Sequence, residues 1–225
     1  MKLLAIDTST STLSVSVANE KQILGETNKY LKHQHSSQLV PTINNLLSDL
    51  SLTTHDLTAV GVAVGPGSYT GIRIGVTVAK TLAWAEQIPL YSVSSLLVLA
   101  MNAYDFPGLI VPLIDARRER VYTAIFNKKE ANLEEILTER VLTLTDLLIE
   151  VKKFKKPALF LGDALNIYQQ QITATLGKQA EFATAMQNIP RAAALGILAI
   201  QKSSITQPES ADFTPEYLTS PGTKG

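Results

Sequence analysis

From Gly65 to Gly75 the chain reads Gly-Pro-Gly-Ser-Tyr-Thr-Gly-Ile-Arg-Ile-Gly, four glycines in eleven residues. The apolar run Leu57 to Val64 precedes it, and helical spacing from about Tyr69 to Ala85 follows. A glycine turn that closes a buried strand and opens a helix belongs to α/β architecture. The strand expected at Ile88 to Val93 completes a strand–helix–strand crossover. The start of such a helix suits an anion, because its first N–H groups have no intrahelical partner. Two nucleotide motifs are nevertheless excluded. No Gly-Lys-Ser/Thr follows at P-loop spacing, and Thr70 stands where a dinucleotide fingerprint needs its third glycine. A second reading is structural. Gly71 and Gly75, four apart, let another element approach closely. With Thr70, Thr77 and Ala79 they make a flat, uncharged helix face that suits partner docking.

The surrounding pattern repeats one theme. Leu3 to Ile6 reads as a buried strand. Thr12 to Ala18 alternates Leu13, Val15 and Val17 with Ser14 and Ser16, which predicts a strand with one wet face. Ile23 to Tyr30 adds a third strand to an antiparallel meander. Ser36 to Leu50 then switches to helical spacing, with Leu39, Ile43, Leu46, Leu47 and Leu50 on one face and Pro41 early, where its missing N–H is tolerated. Ser94 to Met101 reads as a short helix. Past Pro107-Gly108 come strands at Leu109 to Ile114, Val121 to Phe126 and Leu133 to Glu139. A helix follows at Thr143 to Val151, N-capped by Thr143 or Thr145. Then come a strand at Ala158 to Leu161 and helices at Ala164 to Thr175 and Arg191 to Gln201. This predicts two βββα-like halves meeting near residues 102 to 108, the second sparse and irregular.

Composition narrows the function. Of 225 residues 45% are hydrophobic and 18% charged, enough apolar chain for a sizeable core and against disorder. Lys plus Arg equals Asp plus Glu at 20 each, so a free-standing nucleic-acid binder with a broadly basic face is disfavoured, although a local patch is compatible. The absence of cysteine excludes disulfides, thiolate metal sites and a Cys nucleophile. Asp7 interrupts the N-terminus too early for a signal peptide, and no run approaches the ~20 apolar residues of a membrane span. A cytoplasmic protein with no membrane partner is expected.

Several residues could carry chemistry. Asp7-Thr8-Ser9-Thr10, between two strands, could hold a phosphate and a hydrated Mg²⁺ through hydroxyls, N–H groups and the carboxylate. The same residues could simply satisfy a turn. His33, His35 and His55 lack an evident set of zinc ligands, and His35 reads as a polar residue beside a helix start. Asp115-Ala-Arg-Arg-Glu-Arg120 could be an ion-paired turn or an anion patch. Lys152-Lys-Phe-Lys-Lys156 reads as a solvated helix end. No Gly-x-Ser-x-Gly elbow is present.

Three segments together resemble the bacterial TsaB family: Leu4-Ala-Ile-Asp-Thr-Ser-Thr10, Val64 to Lys80, and Pro112-Leu-Ile-Asp-Ala-Arg117. Pro215-Glu-Tyr-Leu218 matches the family's usual ending. The resemblance implies a two-lobed actin/sugar-kinase/Hsp70-like (ribonuclease H-like) α/β fold with βββα-type halves. The lobes would be residues 1–103, carrying the dimerisation helices, and a reduced lobe at 104–225. It implies a non-catalytic scaffold subunit of the tRNA N6-threonylcarbamoyladenosine transferase complex. Such a subunit pairs with a TsaD-like catalytic subunit, is joined by a TsaE-like ATPase, meets tRNA through the complex, and forms a homodimer when alone. The pairing helices would be Ser36–Leu50 and Tyr69–Ala85, with Leu39, Ile43, Tyr69, Gly71, Ile72, Gly75, Val76 and Ala79 at the interface. In TsaD the matching strand is followed by two metal-binding histidines four apart; here Ser95 and Leu99 stand there, and neither can replace an imidazole on a transition metal. No metal, catalytic residue or cofactor is therefore expected. Residual ATP or ADP at a subunit interface is left open, with Asp7, Thr8, Ser9, Thr10, Gly65 and Gly67 as remnants of a phosphate site. The second half offers only well-separated glycines (Gly162, Gly177 and Gly196) for an adenosine motif. The contrasting expectation is a stand-alone nucleotide-dependent phosphotransferase or glycoprotease-like metallopeptidase of the same superfold.

Overall fold

A computed structural model describes residues 1–31, 34–130, 132–210 and 212–214. The described residues form two compact units, one made of residues 1–98 and 190–214, the other of Leu99–Ile189.

In the first unit, β1 (Leu3–Asp7), β2 (Thr12–Ala18) and β3 (Ile23–Tyr30) form the expected meander. β4 (Ala59–Ala63) and β5 (Leu90–Val93) extend it in parallel, giving the order β3-β2-β1-β4-β5. Every residue of β1, β2 and β4 is buried, because both faces of the sheet are covered. Leu4 and Ile6 point to the face packed by α1 (His35–Asp49) and α2 (Tyr69–Glu86). Leu3 and Ala5 alternate to the other face, where Ala192, Leu195 and Ala199 lie.

Those last residues belong to the C-terminal helix Ala192–Ser203, and here the structure departs from the sequence reading twice. The helix was expected in a second lobe spanning 104–225; instead it packs on β1, β2 and β5. The β2 face expected to be wet is consequently buried, with Ser14 and Ser16 fully inaccessible. Ser14 is satisfied: its Oγ accepts from Ala192 N–H at 2.7 Å and donates to Asn28 Oδ1 at 2.5 Å. Ser16 Oγ is buried without a partner.

Past β5, α3 (Ser95–Ala100) leads toward the second unit. That unit holds β6 (Leu109–Asp115), β7 (Arg120–Lys129), β8 (Asn132–Thr143), β9 (Ala158–Leu161) and β10 (Ala180–Phe182). Their order, β10-β9-β6-β7-β8, has the same connectivity as the first sheet. Among the described residues the strand count is equal, so the sparseness expected of this half does not extend to its sheet. Three-residue β10 was too short to leave a periodic signal in the sequence. The helix α4 (Leu144–Lys153), with Thr143 Oγ1 accepting the Asp146 N–H as its N-cap, and α5 (Leu165–Leu176) cover one face. The C-terminal helix becomes α6. No helix among the described residues is long and apolar enough to cross a membrane.

Candidate functional site

The two motifs singled out at the N-terminus and at Gly65–Gly75 fold against one another. The turn after β1 lies on the start of α2, with Thr8 Oγ1 donating to Gly71 O at 2.7 Å and Ser68 N–H donating to Ser9 O at 2.7 Å. Glycine is required there by contact distance. A Cβ on Gly71 would meet Thr8 O at 2.1 Å, and one on Gly75 would meet Thr8 Oγ1 at 2.4 Å. Ser68 caps α2 by accepting from Gly71 N–H, and Ser95 Oγ accepts from Gly65 N–H at 3.2 Å.

This geometry gives both sets of residues a role inside the chain. Of the expected phosphate cradle, Asp7, Thr8, Ser9 and Gly65 are buried, while Thr10 and Gly67 are half-buried. Ser9 donates both its N–H (2.8 Å) and its hydroxyl (2.7 Å) to Asp7 Oδ1, and Thr10 Oγ1 accepts from Thr12 N–H. The hydroxyls thus close a turn and support a helix start. Burial pushes the Asp7 carboxyl above its usual range, against the lowering effect of the Ser9 bonds, and Oδ2 is buried without a partner. Among the expected interface residues, Leu39, Ile43, Gly71, Ile72, Gly75, Val76 and Ala79 are also buried inside this chain, against the first sheet. They are core, and a side chain placed at Gly75 would disrupt folding before it reached a partner. Tyr69 alone of that set is exposed.

The opposite faces of α1 and α2 are available. On α2, Tyr69, Arg73, Thr77, Thr81 and Trp84 follow one another at helical spacing, with Trp84 82% exposed. Arg73 donates to Tyr69 Oη at 2.8 Å, and its guanidinium lies over the Tyr69 ring, 5.2 Å from the centroid. Ser36 of α1 and Tyr69, Thr70, Arg73, Ile74, Thr77 and Val78 of α2 line an open groove of about 430 Å³. Half-buried Ile74 and Val78 form its floor-side apolar part, and Val40 on α1 is also exposed. Among the described residues that line it, the Arg73 guanidinium stands beside a phenol, hydroxyls and aliphatic side chains, a lining suited to recognition. Arg73 and Trp84 lie outside the small-residue motif that dominates the α2 sequence. The exposed stripe offset from Ile72, Val76, Ala79 and Ala83 was the available signal.

Ser95 and Leu99, the positions that the resemblance sets against the TsaD histidines, are buried. Their side chains do not fit a transition metal. His35 is buried at the start of α1, and His55 pairs with Glu86 at 2.6 Å on the surface. His33 and Pro215-Glu216-Tyr217-Leu218 lie outside the described residues. No group of three or more His, Asp or Glu side chains placed to hold a metal occurs among the described ones. Lys152 and Lys153 end α4 exposed, Lys153 paired with Glu150.

Known proteins fit this arrangement. The family model for TsaD, tRNA N6-adenosine threonylcarbamoyltransferase, matches residues 16–224. The tRNA threonylcarbamoyladenosine biosynthesis protein TsaB of Bacillus subtilis is 42% identical over 221 residues, covering 97% of this chain and 94% of that protein. The structure of YeaZ from Pseudomonas aeruginosa matches with a TM-score of 0.80 at 25% identity, covering 96% of this chain and 99% of that one. Component A of the Acidaminococcus fermentans (R)-2-hydroxyglutaryl-CoA dehydratase, at 10% identity and a TM-score of 0.50, covers 91% of this chain and 99% of its own. It shares only the fold, the actin-like α/β class expected from the sequence. Identity at this level over nearly the full length of both proteins leaves one assignment: the chain belongs to the TsaB family.

Proposed function

We propose that this chain is the non-catalytic partner subunit of a tRNA N6-threonylcarbamoyladenosine transferase complex. It docks on a TsaD-like catalytic subunit through the outer faces of α1 and α2. The process comes from the relatives' names, tRNA threonylcarbamoyladenosine biosynthesis. The observation that carries the docking role is the exposed stripe Tyr69, Arg73, Thr77 and Trp84 beside the groove. Aromatic and arginine side chains around a partly apolar depression are what a protein interface draws on for most of its affinity. Ser95 and Leu99 support the non-catalytic part, since a catalytic relative would present imidazoles there. A TsaE-like ATPase joins the assembled pair, tRNA is met through the complex, and the same face closes a homodimer when the catalytic subunit is absent.

Thr77→Glu and Trp84→Ala test this, because both residues are exposed and neither supports the core. The new carboxylate stands one turn from Arg73, so it draws the guanidinium away from Tyr69 and, on docking, buries an ion pair in the groove, which costs about 3 kcal/mol, over a hundredfold in affinity. Thr77→Glu should abolish co-elution with the TsaD-like subunit. It should also bring reconstituted tRNA modification down to the level seen without this chain. Undiminished co-elution for both variants would refute the docking face.

A further inference from the structure

We propose that the turn joining β6 to β7 contacts the phosphate backbone of the tRNA that the complex modifies, through Arg117, Arg118 and Arg120. The inference rests on the functional reading above and adds a nucleic-acid contact to it. Arg117, Arg118 and Glu119 take φ values of 62°, 52° and 59°, three consecutive left-handed residues that all carry side chains. Glycine or asparagine takes that conformation with least strain, so the turn holds arginines against local preference. Surrounding bonds impose the shape. Asp115 Oδ1 accepts from Arg117 N–H at 2.8 Å, Ala116 N–H donates to Arg120 O at 3.0 Å, and Arg120 N–H donates to Arg117 O at 3.1 Å. Leu144 N–H, at the start of α4, donates to Glu119 O at 3.3 Å and ties the turn to the body of the unit. Strain maintained by its surroundings is characteristic of functional positions.

The turn is built to meet an anion. Arg117, Arg118 and Arg120 are exposed, and none has an ion-pair partner among the described residues. The N–H groups of Arg118 and Glu119 enter no hydrogen bond among the described residues, which leaves two backbone donors beside three guanidinium groups. Of the neighbouring acids, Asp115 and Asp163 sit at the base, each accepting a backbone N–H, and the Asp146 carboxylate accepts from the Thr143 hydroxyl at 2.7 Å in the first turn of α4. Glu119 is the single acid within the run 117–120, so three cations face one anion there. Guanidinium groups grip phosphate oxygens two at a time. Residues 115–120 expose no apolar side chain larger than the half-buried Ala116, so the turn lacks the core that a protein partner would need.

The experiment uses the complex assembled with the TsaD-like subunit and an in vitro transcribed tRNA carrying the target adenosine, with dissociation constants measured across a salt series. Replacing all three arginines by alanine should weaken binding about tenfold or more. It should also lower the slope of log K against log salt by about two to three. The KM for tRNA should rise with kcat and subunit assembly unchanged. The triple lysine variant keeps the charge but loses bidentate geometry, so it should retain the slope while binding more weakly. Its melting curve also separates a folding defect from a contact defect. Equal affinity and slope for the alanine variant, in a complex that assembles normally, would overturn the contact alone. Failure of the unaltered chain to assemble would overturn the functional reading and this contact with it.

Discussion

Asp7 is the residue with the least comfortable environment in the first unit. It is fully buried, one carboxylate oxygen takes both Ser9 bonds, and the other has no partner. Desolvation raises its pKa above the usual 3.8, so the folded chain favours the protonated form. The stabilisation that protonation brings is complete below 3.8 and is lost as pH climbs through the raised value. Asp7→Asn keeps an oxygen for the Ser9 N–H and hydroxyl and removes the titration. In urea melts between about pH 4 and pH 8, the stability of Asp7→Asn relative to the parent chain should increase with pH. A difference that stays constant across that range would contradict a buried, titrating carboxyl.

At the level of elements, α6 depends on side chains far away in sequence. Glu26 on β3 accepts Ala193 N–H through Oε1 at 2.8 Å, and its Oε2 accepts from the Arg191 guanidinium. Ser14 on β2 accepts Ala192 N–H. A carboxylate and a hydroxyl from the sheet therefore satisfy the first N–H groups of a helix whose own N-cap residue, Arg191, supplies no side-chain cap. Glu26→Ala removes the helix-terminal charge and leaves Arg191 unpaired. It should cost about 1.5–3 kcal/mol in denaturant unfolding. A loss under about 0.5 kcal/mol would mean that packing alone seats the helix.

At the scale of the molecule, residues 190–214 return to the first unit. Beyond α6, Glu209 N–H bonds Leu90 O, its carboxylate meets Ser92 and Lys202, and Lys80 Nζ donates to Phe213 O, so this strap covers the β5 edge. Ending the chain before Pro190 would uncover the face of Leu3, Ala5, Ala59, Ala63, Tyr91 and Val93. A contiguous apolar surface of that kind drives association. The truncated chain should lose the first unit's cooperative unfolding transition and elute as aggregate in size-exclusion chromatography. A monomer that retains that transition would show the segment to be dispensable.

Local pattern was legible where one residue type suffices for one local conformation. The alternation at Leu13, Val15 and Val17, the helical spacing at Leu39, Ile43, Leu46 and Leu47, and the glycine turn before α2 all appear as read. Burial on the far side of a strand was not legible. Ser14 and Ser16 alternate like a wet face, and only α6, arriving from some 180 residues later, makes that face dry. The same limit applies to the small residues of α2. Gly71 and Gly75 signal a close approach in either reading, and only the folded chain shows that the approaching element is Thr8 rather than a partner. Sequence by itself determined the strand and helix types, the α/β class and the family, because periodicity and residue runs are local properties. Tertiary structure alone decided which faces are core and which are left for a partner, because burial depends on what the rest of the chain brings alongside.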